Sequence, residues 1–278
     1  MKIKIAVAQI KIHQFHPAKN LKKAESYIKK AALSKAQIII FPEDFVTGPI
    51  FFRHEFADPE NKYCRHFQNL AKKYGIDIIP GSFAEQEKSR YYNTTYYIDC
   101  KGKIKSRYRK INLLHTEKDY LDPGHEVKVF NTRFGKVGIM ICWDMIFPEM
   151  FRKMIKKGAN IIFCPSYWGY EDAGIGLLYN KNSDIELINS VCVGRAFENE
   201  IIFVFCNAAG KLDTWTGKGR MKDILLGYSQ ITVPFKGCVK RLEHHKEAMF
   251  IQEVDTSILK DAEKVYKIRK DLKKKIKY

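Results

Sequence analysis

The chain reads as a layered α/β fold with more than one sheet. Segments with strand character outnumber those with helical periodicity, and the two kinds alternate in blocks. Short all-apolar runs, such as residues 38–40 and 201–205, suit strands covered on both faces. No internal repeat, low-complexity linker or composition break divides the 278 residues. One domain spanning residues 1–278 is therefore expected, with a basic C-terminal tail from about residue 256.

Taken in order, residues 2–10 alternate around Ile3, Ile5 and Val7 and predict a strand. Residues 18–34 carry Leu21, Ala24, Ile28 and Ala31 at helical spacing, with lysines opposite. Residues 38–41 form a short apolar strand that stops at Pro42-Glu43-Asp44, and residues 44–60 read as a loop. Residues 61–74 predict a helix ended by Gly75. Residues 77–81 predict a strand, and 92–99 and 104–109 a pair of strands joined by a hairpin at Lys101-Gly102. A loop covers 111–124, and strands at 127–130 and 136–141 flank a turn at 131–135. Pro148-Glu149 opens a helix that runs to Lys156. Residues 160–164 are a buried strand, and 165–181 a long loop with four aromatics. Ser183 caps a helix ending at Asn199, and 201–207 form another apolar strand. Residues 211–223 read as a polar loop, and 228–233 and 238–242 as a hairpin about Phe235-Lys236-Gly237. Residues 248–254 form the last strand, and the tail at 260–278 reads as helical.

Composition narrows the function. With 45% apolar residues the chain can build a large core. No apolar run approaches the roughly 20 residues of a membrane span, and the N-terminus lacks a signal-peptide core. A cytoplasmic protein without membrane attachment is expected. The seven cysteines are scattered, with no Cys-x-x-Cys pair, which disfavours a disulfide framework and a thiolate zinc site. The net charge of +18 comes mostly from lysines spread along the chain. Without an RNA-binding aromatic signature, a zinc finger or a helix-turn-helix pattern, no nucleic-acid partner is expected.

Three polar residues stand just past predicted strands: Glu43, Lys110 and Cys142. Strand ends of α/β sheets are where sites collect. Cys142 follows the apolar run 137–141 and precedes a helix, a corner where a nucleophile is held rigidly yet exposed. A thiol needs a base to remove its proton, and a desolvated carboxylate such as Glu43 can serve. An ammonium such as Lys110 can stabilise the thiolate and a developing oxyanion.

These residues resemble the nitrilase superfamily of carbon–nitrogen hydrolases over nearly the whole chain. Phe41-Pro42-Glu43 resembles its catalytic Glu motif, Tyr108-Arg109-Lys110-Ile111 its catalytic Lys motif, and Cys142-Trp143-Asp144 through Phe147-Pro148-Glu149 its Cys motif. Supporting matches are Tyr92-Asn93, Glu117 with Pro123-Gly124, Arg195-Ala196 with Glu198-Asn199, and Gly227-x-Ser229-x-Ile231 with Pro234. The resemblance implies a four-layer αββα sandwich, dimerised through helices. It also implies a thiol hydrolase of a small amide or N-carbamoyl amine that uses no cofactor or metal. Glu43 would be the base, Cys142 the nucleophile, and Lys110 with the Trp143 backbone N–H the oxyanion donors. Glu117 would be a second carboxylate orienting Lys110. A true nitrilase shares these motifs. An inactive relative that binds RNA through the basic surface would not need the intact trio.

The loop 165–181 follows the strand after the Cys142 unit and is expected to reach the pocket. Tyr167 and Trp168, with Tyr170, offer walls, and Glu171 and Asp172 offer charge. The loop has no Arg to clamp a carboxylate, so a neutral or cationic amine tail is expected. The basic tail is expected to serve packing or dimer contacts, since charge runs are usually solvated faces.

Overall fold

The computed structural model describes residues 1–58 and 60–272; Pro59, within the expected loop, and residues 273–278 of the basic tail lie outside the described residues. The first half supplies β1 (Lys2–Gln9), α1 (Pro17–Leu33), β2 (Ile38–Ile40), α2 (Lys62–Tyr74), β3 (Asp77–Ile79), β4 (Ser82–Glu87), β5 (Arg90–Ile98) and β6 (Ile104–Arg109). The second half supplies β7 (Lys128–Thr132), β8 (Gly135–Ile139), α3 (Pro148–Lys156), β9 (Ile161–Ser166), α4 (Ser183–Asn199) and β10 (Ile202–Asn207). It continues with β11 (Ala209–Trp215), β12 (Arg220–Leu226), β13 (Gln230–Val233), β14 (Gly237–Arg241), β15 (Ala248–Asp255), α5 (Ser257–Tyr266) and α6 (Ile268–Asp271).

One sheet runs β15–β1–β2–β3–β5–β4, with β6 also paired to β5. The other runs β14–β13–β10–β9–β8–β7. The alternation of β1 shows how they stack. Ile3, Ile5 and Val7 join a core shared with Ile139, Ile141, Phe163 and Phe205 of the second sheet region. Ala6 and Ala8 join a separate core with Ala24, Ile28 and Ala31 of α1 and Phe67 of α2. A strand sends neighbouring side chains to opposite faces, so β1 touches the partner sheet on one side and helices on the other. On the outer side of the second sheet, α3 and α4 pack together, and Phe151 meets Phe203 edge-on with ring centroids 5.4 Å apart. The layers are therefore helix, sheet, sheet, helix. Each fully buried Ile or Phe in them stabilises the fold by about 1.5–3 kcal/mol relative to exposure.

Two segments differ from the sequence expectation. Residues 82–87 form β4, although Glu85, Gln86 and Glu87 look like loop. Glu85 is buried there because Arg107 and Arg109, on β6, pair with it at 2.8 and 3.3 Å. The stretch read as a polar loop, 211–223, lies mostly in the antiparallel hairpin β11–β12. Leu212 and Thr214 are buried while Lys211 and Asp213, which alternate with them, are exposed, a half-buried ribbon whose outer face is charged. The long loop 165–181 also contains a 3-10 segment, Glu171–Leu178, broken at Gly174.

Candidate active site

Each chemical group sits where a strand stops. After β2 the chain turns at Pro42, and Glu43 N–H donates to Ser166 O at 3.2 Å. Gly81, with φ +72°, permits this packing: a Cβ there would lie 1.8 Å from Pro42 O. After β6, Lys110 N–H donates to Asn93 O at 2.9 Å, and Gly124 N–H donates to Lys110 O at 2.7 Å. A Cβ on Gly124 would come within 2.3 Å of Arg109 O, so the loop can lie against this strand end only with glycine there.

Cys142 starts a 3-10 turn, Cys142–Ile146, just beyond β8. Its φ of +46° is a strained value for a residue with a side chain. The turn is held from below by Asp144. Its carboxylate accepts from Ile141 N–H at 3.0 Å, the Tyr108 hydroxyl at 2.6 Å, and Asn112 N–H and Nδ2 at 2.8 and 2.9 Å. Arg195, from α4, donates to Met145 O at 3.2 Å and to Ile146 O at 2.9 Å. These contacts offset the strain and fix the direction of the thiol.

The groups converge. Lys110 Nζ lies 2.7 Å from Glu43 Oε1 and 2.7 Å from Glu117 Oε2. Asn93 Nδ2 bridges the same two carboxylates, at 2.9 and 3.0 Å. Leu114 N–H donates to Glu117 Oε2 at 2.7 Å. Lys110 and Glu43 are each 2% exposed, and Cys142 is 7% exposed. Glu43 faces the Cys142 thiol closely enough that each shifts the other's ionisation. Burial pushes Glu43 up to about 7; the Glu117 charge adds to this and Lys110 opposes it. Burial alone would pull Lys110 down, but the charges of Glu117 and Glu43 outweigh it and hold the ammonium well above its ordinary value. Burial, with the Glu43 charge, also raises the Cys142 thiol well above the ordinary range. The resting pair is thus a neutral thiol beside a carboxylate poised near neutrality, which is what proton transfer on demand requires.

Trp143 follows the thiol in the first turn of its short helix, where N–H groups lack a carbonyl one turn back. Its ring packs on Trp168, centroids 5.6 Å apart.

The cluster opens on a cavity of about 100 Å³, whose walls include Glu43, Lys110, Glu117, Cys142 and Tyr167. Asp172 also lines it. Trp168 and Glu171 do not. Trp168 is buried behind the wall, its Nε1–H donating to Asp184 at 2.6 Å. The Glu171 side chain is exposed, and its contribution is a backbone N–H to Asp223. Extended chain explains this split: Tyr167 and Trp168 are neighbours, so one ring faces the cavity and the other faces away.

Other lining residues escaped the sequence reading. Asp44, beside Glu43, faces the cavity, and burial followed by the Glu43 charge raises it well above the usual carboxylate range. The β11–β12 hairpin adds Leu212, Thr214, Met221, Asp223 and Leu225. The signal for them was the i, i+2 spacing at 212/214 and 221/223/225, partly masked by charged neighbours. Among the described residues no group of three His, Cys, Asp or Glu side chains is arranged to hold a metal ion. No described helix is long and apolar enough to cross a membrane.

Comparison with known proteins gives the family. The carbon-nitrogen hydrolase family model matches residues 4–257. A probable nitrilase of Schizosaccharomyces pombe is 31% identical over 274 residues, covering 96% of this chain and 93% of the relative. An N-carbamoylputrescine amidase of Arabidopsis thaliana is 31% identical, covering 91% and 86%. A crystal structure of a carbon-nitrogen hydrolase from Helicobacter pylori superposes with a TM-score of 0.88 at 22% identity, covering 98% and 95%, which establishes the same αββα fold. With its fold and nearly its whole length matched, the chain belongs to the carbon–nitrogen hydrolase family.

Proposed function

We propose that this protein is a thiol hydrolase that cleaves the C–N bond of a small amide or N-carbamoyl amine through a thioester at Cys142. The observation that carries the reading is the meeting of Cys142, Glu43 and Lys110, from three separate strand ends, in one buried cavity. Glu43, raised to about 7, takes the thiol proton as the sulfur attacks the acyl or carbamoyl carbon. Lys110 and the Trp143 N–H stabilise the oxyanion. Ammonia or an amine leaves with the proton held by Glu43. Glu43 then takes a proton from water, whose oxygen attacks the thioester and releases the acid and the thiol. Glu117 and Asn93 hold Lys110 and Glu43 in register through the contacts described above, so they act as positioning residues.

The cavity volume favours small substrates. Relatives named as an amidase and as a probable nitrilase both lie at 31% identity, so the substrate class is decided by assay. A screen of small amides, N-carbamoyl amines and nitriles with ammonia detection should give turnover on the first two classes. Turnover confined to nitriles would replace this reading with that of a true nitrilase. We also assign the protein to the cytoplasm as a homodimer. The seven free cysteines suit a reducing compartment. The exposed apolar side chains Ile175, Leu178, Tyr179 and Leu187 suit a covered surface. Light scattering at the mass of a monomer would contradict the dimer.

A further inference from the structure

We infer that one wall of the cavity is an ammonium subsite made by Asp172 and Asp223, so that the substrate carries a short alkyl amine tail away from its scissile bond. This rests on the hydrolase reading above and names the substrate class within it.

Asp223 is brought to the wall by β12, which hydrogen-bonds to the stretch after β9: Tyr170 N–H donates to Ile224 O and Leu226 N–H to Trp168 O, both at 2.9 Å. One oxygen of each carboxylate is spoken for. Asp223 Oδ1 accepts from the N–H groups of Ile224, Tyr170 and Glu171 at 2.6, 3.1 and 3.1 Å. Asp172 Oδ2 accepts from Gly169 N–H at 2.7 Å. Asp223 Oδ2 and Asp172 Oδ1 receive no donor from the described residues. The missing side chain of Gly169 lets the two carboxylates approach each other, with Asp223 Oδ2 filling the space and the bonded Asp172 Oδ2 beside it. A Cβ there would lie 2.0 Å from Asp223 Oδ2 and 3.6 Å from Asp172 Oδ2.

The pair is therefore preorganised by backbone donors, directed into the cavity, and lacks a cation. Lys110 is the one cationic side chain among the described lining residues, and Glu43 and Glu117 both hold it. Desolvation raises both carboxylates: the Asp223 charge adds to it at Asp172, which is raised to about 6 although it stands partly exposed at the cavity mouth, and the Glu171 charge adds to it at Asp223. A ligand ammonium would relieve both causes, supplying donors to the free oxygens and an opposite charge between them. An anionic tail would meet two carboxylates and no free cation. Leu212, Met221 and Leu225 line the same cavity and suit methylene groups between the scissile bond and the charge.

The test has two arms. In Cys142→Ala protein, calorimetry with butylammonium, 1,4-diaminobutane and 1-butanol reads the subsite without turnover. The amines should bind and butanol should not, and Asp172→Asn or Asp223→Asn should weaken amine binding roughly 10- to 100-fold, the scale of a hydrogen bond to a charged group. Asparagine keeps one acceptor oxygen for the backbone, so the loop remains tied. In protein with Cys142 intact, kcat/KM is compared for N-carbamoyl-1,4-diaminobutane and its uncharged isostere, N-carbamoylpentylamine. The charged substrate should be preferred, and Asp223→Asn should lower the preference at least roughly tenfold. Equal use of both substrates, or a parallel loss on both in the Asn variants, overturns the subsite while leaving the hydrolase reading standing. Amine binding that depends on both aspartates, with no turnover of any amide or carbamoyl compound, supports the subsite and overturns the hydrolase reading instead. Binding of magnesium or calcium, but not of the amines, would overturn the ammonium assignment.

Discussion

Replacing Lys110 by Met removes a charge while keeping most of the bulk of the side chain. Lys110 is 2% exposed and lies 2.7 Å from each of two carboxylates. Removing one member of a buried ion pair costs about 3–5 kcal/mol, because the remaining charge is stranded. Here the stranded group that matters is Glu43, which burial already lifts to about 7 against the pull of Lys110. Without that pull it rises further. The sign follows from proton binding. A carboxyl whose folded pKa lies above its unfolded pKa loses stability as pH rises from the unfolded pKa to the folded one, and then levels off. In the native sequence the Glu43 contribution should level off above about 7. In Lys110→Met it should keep falling, by about 1.4 kcal/mol for each step of one in pH, until the carboxyl at last ionises. Urea denaturation at pH 6.5, 7.5 and 8.5 reads this as a widening gap between the two proteins. Activity should fall more than roughly a hundredfold, the scale of a lost oxyanion donor. A variant with near-normal kcat, and a denaturation midpoint that tracks the native protein at every pH, would deny Lys110 both roles.

Cys142→Ala should fold normally and retain less than about a thousandth of the activity, since no second thiol lines the cavity among the described residues. The pH profile of kcat/KM should show an acid limb near 7, because Glu43 must be ionised to accept the thiol proton; a profile flat between pH 5.5 and 8 would remove Glu43 from that role. Arg269→Ala should cost at least about 2 kcal/mol of stability while kcat is kept, as its guanidinium ties α6 to Ala159 O, Asn160 Oδ1 and Glu200 O at 2.8–2.9 Å. An unchanged thermal midpoint would mean that the α6 contact contributes nothing.

The sequence made the three candidate corners legible because each ends a strand whose apolar or alternating pattern is strong. Phe41-Pro42-Glu43 and the run before Cys142 mark buried strands that must stop abruptly. Lys110 ends a strand in which buried Ser106 and Tyr108 alternate with exposed or partly exposed neighbours. The β11–β12 hairpin was illegible because its outward face carries Lys211, Asp213 and Lys222, and its inward face includes Thr214 and Asp223, so polarity stood on both sides. The strand β4 was hidden for a related reason: Glu85 is inside, neutralised by arginines that lie more than twenty positions further on. Local composition cannot show a charge pair made across a sheet. The loop after β9 was placed near the pocket, but its residues could not be sorted. Tyr167 and Asp172 reach the cavity, while their neighbours Trp168 and Glu171 point elsewhere, and that depends on where the loop turns.

Whether chemistry passes through a covalent bond to Cys142 can be read by mass spectrometry. Native-sequence protein is quenched in acid during measured turnover of a small amide or N-carbamoyl amine and digested, and the Glu43→Gln variant, which lacks the base for both the acylation and the water step, is treated in the same way beside it. A covalent path requires a mass increase equal to the acyl or carbamoyl group, located on the peptide that contains Cys142 and absent from Cys142→Ala. A substrate-dependent adduct on another residue, or unmodified Cys142 in native-sequence protein quenched during measured turnover and in the Gln variant alike, would contradict it.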